Sequence, residues 1–152
     1  MEPARPPSAR LAAVAAYGAT VAVCAAVLCW GLNLHRRDLG VPLTYQGDSL
    51  QSIQYLKGTL ENGWVLHNAQ LGAPGALDMH DFPLTDSALF AIVRVLGWFT
   101  DDVFRVYNLF FLLGFPLAAV AAVAVMRHFG LSYPACVAGG VLYAFLPYHL
   151  IR

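Results

Sequence analysis

Leu11-Ala12-Ala13-Val14-Ala15-Ala16-Tyr17-Gly18-Ala19-Thr20-Val21-Ala22-Val23-Cys24-Ala25-Ala26-Val27-Leu28-Cys29-Trp30-Gly31-Leu32 runs without one charged side chain. A helix needs roughly 20 consecutive apolar residues to cross the hydrocarbon of a bilayer, and this run has them. Arg5 and Arg10 precede it, so a cleaved signal segment is the competing reading. The run is longer than the about 7–15 residues of a signal core, and no small-x-small cleavage site follows. Val23 before Cys24 and Leu28 before Cys29 also stand where a lipidation site has a small residue. The run therefore reads as an uncleaved membrane helix, residues 11–32.

The rest of the chain agrees with that class. Of its 152 residues, 59% are hydrophobic and 12% charged, against about 25% charged in a soluble domain. The formal net charge is zero, which leaves no basic face for nucleic acid and no acidic tail. Cys24, Cys29 and Cys136 all fall in apolar runs, where they read as small buried side chains and give no disulfide or zinc pattern. A second apolar run covers residues 105–126, with Pro116 near its middle, where proline removes a backbone donor and kinks a helix. A third covers residues 133–151. Ser132 stands at its N-cap, Pro134 suits its first turn, Gly139-Gly140 lets another helix approach closely, and Pro147 bends its far end. Residues 127–132 make a tight cytoplasmic turn, with Arg127 in the last helical turn and Gly130 as the stop.

The expected fold is all-α: three transmembrane spans and a long outer loop, residues 33–104, carrying amphipathic interfacial helices. Arg5, Arg10 and Arg127 place the tail of residues 1–10 and the short turn on the cytoplasmic side by the positive-inside rule, and Arg36 and Arg37 oppose that orientation. The tail reads as disordered. The loop is too long for a structureless connection. Leu50, Ile53, Leu56 and Leu60 give a helical period over about 49–62, behind a capping-box-like pair Asp48 and Gln51. A turn-rich stretch surrounds Gly72-Ala73-Pro74-Gly75. A second short helix, about 86–99, sets Leu89, Ile92, Val93, Leu96 and Phe99 on one side and lies along the membrane. Thr100-Asp101-Asp102 caps the second span, with Arg105 one turn in and paired to Asp101.

Each candidate site residue carries two readings. Asp48 either caps its helix or acts as a base or cation ligand at the membrane surface, and the two are compatible. Asp78, His80 and Asp81 are oxygen and nitrogen donors suited to a divalent cation, or a turn-forming polar cluster. Arg105 holds a phosphate or headgroup, or snorkels to the surface. Trp64 stacks on a sugar, or anchors at the interface together with Trp98. His149 and Arg152 close the third span as a polar pair or as ordinary helix-end polarity. No nucleophile elbow, phosphate-binding glycine loop, nucleotide fingerprint or zinc motif is present.

The order of these short motifs resembles a known family. One span leads to Gly47-Asp48-Ser49; Trp64, Leu71-Gly72-Ala73-Pro74 and Asp81-Phe82-Pro83 follow; then come Arg127-His128-Phe129-Gly130-Leu131-Ser132 and Phe145-Leu146-Pro147-Tyr148-His149. From Leu11 onward the chain resembles the N-terminal part of bacterial GT-C type polytopic membrane glycosyltransferases, including YfhO-like proteins. The resemblance implies the bacterial inner membrane and transfer of a sugar from a polyprenyl-phosphate carrier at the outer leaflet. It assigns Asp48 as the base or metal-supporting carboxylate, with Asp81 assisting. Proteins of that family are several times longer, so the expectation is a fragment, inactive alone, that lacks the remaining helices. The alternative is a non-catalytic membrane scaffold or lipid-binding subunit that docks a partner protein.

Overall fold

A computed structural model describes residues 7–44, 47–81 and 87–147. Residues 1–6 of the expected disordered tail lie outside these residues, as do Tyr148, His149, Arg152 and the start of the second loop helix; residues 7–10 of that tail are instead helical, as the start of α1. Among the described residues the chain is mostly helical. The elements are α1 (Pro7–Gly31), a short 3-10 turn (Leu34–Arg36), α2 (Ser49–Asn62), β1 (His67–Asn68), β2 (Leu77–Asp78), α3 (Ser87–Gly97), α4 (Val103–His128) and α5 (Tyr133–Ala144).

Two of these helices are long and apolar enough to cross a membrane: Arg10–Gly31 within α1, and α4. The nine alanines of α1 favour helix, and Asn33 follows its end with a left-handed backbone, φ 51°. The most apolar windows of the two helices are only 22% and 17% buried, whereas the core helix of a water-soluble protein turns most of its apolar surface inward. α4 runs unbroken through Pro116, where the missing N–H leaves the Leu112 carbonyl without its helical donor. α5 is apolar but has 12 residues, a rise of about 18 Å. It stops at Phe145, whose N–H reaches Val141 and Tyr143, two positions before Pro147; the residue ahead of a proline is disfavoured in helix. The described helix is thus shorter than the 133–151 expected.

The chain divides into two compact units, one of Asp38–Phe111 and one of Met1–Arg37 with Leu112–Arg152. In the second unit Cys24, Ala119 and Ala144 are fully buried together, with Ala118, Val141 and Phe145 around them. Phe115 and Phe145 stack at 5.1 Å. A Cβ on Gly140 would lie 2.8 Å from the Ala119 carbonyl oxygen and 2.8 Å from Val123, so only glycine allows this approach of α5 to α4. The Gly139-Gly140 contact expected from the sequence is therefore made, and its partner is α4. The turn also forms as read. Gly130 takes φ 81°, a left-handed conformation that costs glycine little. The Leu131 N–H returns to Met126 and the Gly130 N–H to Arg127. The Arg127 guanidinium lies 3.9 Å over the Tyr133 ring and donates to the Leu131 carbonyl.

In the unit of residues 38–111, α2 packs on α3 around Leu56, Val93 and Val106, with Leu60, Leu96, Tyr107 and Phe110 alongside. α2 occupies the span expected for it. The turn-rich stretch after it closes into a two-stranded antiparallel hairpin, pairing His67 with Asp78 and Asn68 with Leu77. Gly72, at φ 83°, is needed for it: a Cβ there would sit 2.7 Å from the Leu77 nitrogen.

Candidate functional site

Asp48 stands at the N-cap of α2, and its backbone carbonyl accepts the Ser52 N–H at 2.9 Å. Its carboxylate makes no capping bond. The backbone, at φ −81° and ψ 8°, is outside the extended region from which an N-cap side chain reaches the N2 and N3 amides. The capping-box pair is not formed either, since Gln51 donates to the Tyr55 hydroxyl at 2.7 Å. The capping explanation of Asp48 is thereby corrected. Among the described residues its side chain is exposed and has neither hydrogen bond nor ion pair.

The segment leading to Asp48 is held from α4. Asn108 is fully buried. Its Oδ1 accepts the Leu43 N–H at 2.9 Å, and its Nδ2 donates to the Leu39 carbonyl at 2.7 Å and the Val41 carbonyl at 2.8 Å. One amide thus satisfies three backbone groups of a loop, and the loop in turn satisfies a polar side chain inside an apolar helix. The Thr44 hydroxyl shares hydrogen bonds with Tyr107 at 3.0 Å and with Ser49, the residue after Asp48, at 3.2 Å. Asp102 completes the attachment. Its Oδ1 accepts the Phe104 N–H at 2.9 Å and the Arg105 N–H at 3.3 Å, capping α4 as expected. A Cβ on Gly40 would meet Asp102 Oδ2 at 3.3 Å, so the loop passes tightly over this cap.

The remaining candidates are dispersed. Arg105 pairs with Asp102 at 3.4 Å and not with Asp101, because the capping carboxylate one turn back is already turned toward the helix start. Asp78 Oδ1 accepts both the backbone N–H and the imidazole Nδ1 of His80. These two bonds, the backbone one first, hold the Asp78 carboxyl below its usual range. Asp81 is exposed in the following turn, and no bond joins it to Asp48. Among the described residues no three His, Cys, Asp or Glu side chains converge to hold a metal ion. Trp64 is half-buried, edge-on to Phe90 at 6.3 Å, so part of its ring packs α3.

Three features were not read from the sequence: the Asn108 clamp, the Thr44–Tyr107–Ser49 hydroxyls, and Arg94. Arg94 of α3 donates to the Thr59 and Leu60 carbonyls at 3.3 and 3.4 Å, two of the last-turn acceptors of α2 that lack helical donors. Asn108, a lone amide in an otherwise apolar run, was the available signal. Comparison with protein-family models, with curated proteins and with solved structures finds no match to this chain.

Proposed function

We propose that this chain is the membrane-inserted part of a glycosyltransferase that takes its sugar from a polyprenyl-phosphate carrier, with Asp48 as the base. The observation that carries this reading is the Asp48 carboxylate. Among the described residues it is exposed and bonded to no side chain or amide, while Asn108 holds the Leu43 backbone before it and the Thr44 hydroxyl links the Ser49 hydroxyl after it to Tyr107. A carboxylate kept in place yet not used for helix capping is suited to take a proton. The acceptor hydroxyl would give its proton to Asp48, and its oxygen would form the new bond to the anomeric carbon. The bond to the carrier phosphate would break with its electron pair leaving on the phosphate, inverting the centre. Asp81 would assist, the Trp64 face left free by Phe90 would receive the sugar, and Arg105 would meet the phosphate.

In this reading α1, α4 and the segment beginning with α5 are three membrane segments. The N-terminus and residues 127–132 are cytoplasmic, residues 38–102 are outside, and the membrane is the bacterial inner membrane. Reporter fusions after Leu60 and after Phe129 are expected on opposite sides; the same side for both overturns the topology. For the chemistry, membranes holding the protein as its own gene encodes it are given a radiolabelled polyprenyl-phosphate sugar. Asp48→Asn is expected to lower transfer by about 10²–10⁴-fold. Undiminished transfer removes Asp48 from the mechanism.

A non-catalytic membrane subunit is the second reading. It is favoured by the exposed apolar side chains Leu117 on α4 and Leu142 on α5, which a partner's helices would cover. It predicts co-purification of a second membrane protein, and a chain retaining neither protein nor lipid counts against it.

A further inference from the structure

The expectation for α3 was a single apolar side, and the structure gives the helix two. Phe90 and Val93 are buried, with Ile92 and Leu96 half-buried, whereas Leu89 and Phe99 of the expected side are exposed, so only its middle is turned into the unit. Gly97 lies so close to α2 that a Cβ would sit 2.5 Å from Leu60. Residues 88, 91 and 95 then fall on the outward face by the three-to-four-residue spacing of a helix, and Trp98 and Phe99 continue it. Ala88 and Ala91 are exposed, Val95 is 45% exposed, Trp98 76% and Phe99 79%. No charge interrupts this face, because the only cation of the helix, Arg94, is bonded to the α2 carbonyls.

α2 shows what a water-facing helix in the same unit looks like. Its exposed positions include Gln51, Gln54, Lys57 and Glu61, the last two forming an ion pair at 3.8 Å. α3 packs Val93 and Leu96 against α2 and leaves a second apolar face exposed.

We infer that the face formed by Ala88, Ala91, Val95, Trp98 and Phe99 lies in the boundary layer of a lipid bilayer, with α2 on the side of α3 away from the lipid. Phe99 precedes the first residue of α4 by four positions, so it lies within about 14 Å of where that membrane-length helix begins. Any bilayer that α4 enters is therefore in reach of this face. A tryptophan and a phenylalanine at the end of an apolar stripe are the side chains that settle at the headgroup level, and helices of this kind sink about 5–10 Å into it. The inference rests on the membrane reading above and is independent of glycosyl transfer.

The test uses the whole chain in vesicles of phosphatidylethanolamine and phosphatidylglycerol. Cys29, the exposed native thiol, is replaced by serine; Cys24 and Cys136 are buried and stay. Single nitroxides are placed through Ala91→Cys, Val95→Cys and Trp98→Cys, with Lys57→Cys on α2 as the water-facing reference. Circular dichroism selects the variants that keep full helix content. At positions 91, 95 and 98 the expected result is a higher collision rate with oxygen and a lower one with a nickel chelate than at position 57. Nickel accessibility equal to that at position 57 places the face in water and overturns the inference. Low collision with both reagents means that a protein surface, a second copy or a partner, covers it, and overturns it equally. Reporter topology can hold while this result fails, which keeps the two outcomes apart.

Discussion

In residues 38–111 the elements are tied by side chains that bond backbone: Asn108 to three groups of the 39–43 loop, Asp102 to the start of α4, Arg94 to the end of α2. In the other unit the described helices meet around the small, fully buried Cys24, Ala119 and Ala144, with Gly140 close against Ala119 and the Phe115–Phe145 stack beside them. Small residues are the usual contact where lipid surrounds the helices and burial of apolar surface gives no drive to associate. Side-chain clamps on loop backbone belong where irregular chain must be satisfied against a low-dielectric surrounding. The two units therefore differ in what joins their elements: side-chain bonds to backbone in residues 38–111, and close apolar contact between helices in the other.

The sharpest way to break that contrast is Asn108→Leu. It strands the Leu43 N–H and the Leu39 and Val41 carbonyls, and at about 1 kcal/mol per bond the unit of residues 38–111 should lose roughly 3 kcal/mol. Hydrogen exchange at the Leu43 amide reads this directly, and unchanged protection refutes the clamp. Next is Gly140→Val, which forces side-chain atoms onto the Ala119 carbonyl and should cost the other unit about 1–3 kcal/mol in thermal unfolding. Gly114→Ala is its control: a Cβ there meets nothing within 4 Å, and helix stability should hold or rise by up to about 1 kcal/mol.

A smaller effect separates two aspartates. Asp102→Ala removes a working cap and should cost about 1 kcal/mol, whereas Asp48→Ala removes no capping bond and should leave the melting temperature of the unit in place. A matching loss at Asp48 would restore its capping role. The smallest effect is at the hairpin. The depressed Asp78 carboxyl stabilises the folded turn when ionised, so its contribution is full above the ordinary aspartate range and fades as pH falls through the lowered folded value. A pH titration by NMR should show the His67–Asp78 pairing loosen only on the acid side; loosening toward neutral pH contradicts the sign.

Much of this was legible because it is local. The two long apolar runs, the bounds of α2, the Gly130 stop and the Asp102 cap each depend on residues within a turn or two of one another. What was not legible depends on partners elsewhere. Nothing near Asn108 tells which carbonyls it will meet, because they lie in a loop far back in the chain. The second face of α3 was hidden because periodicity finds the most apolar side, and α2 turned out to occupy only the middle of that side. The capping bond read for Asp48 is absent for a local reason: residue type names a cap, but the backbone angle at Asp48 decides whether the carboxylate can reach the helix amides.

The Asn108 clamp also sets an order of events during synthesis. Leu39, Val41 and Leu43 precede Asn108 by 69, 67 and 65 residues. At about 5–20 residues per second from the N-terminus, all three backbone partners leave the ribosome about 3–14 seconds before the amide does. When Asn108 emerges, α2, the hairpin and α3 already exist as chain, and every group it needs has been made. The amide then acts as a late latch, closing on a segment already waiting for it.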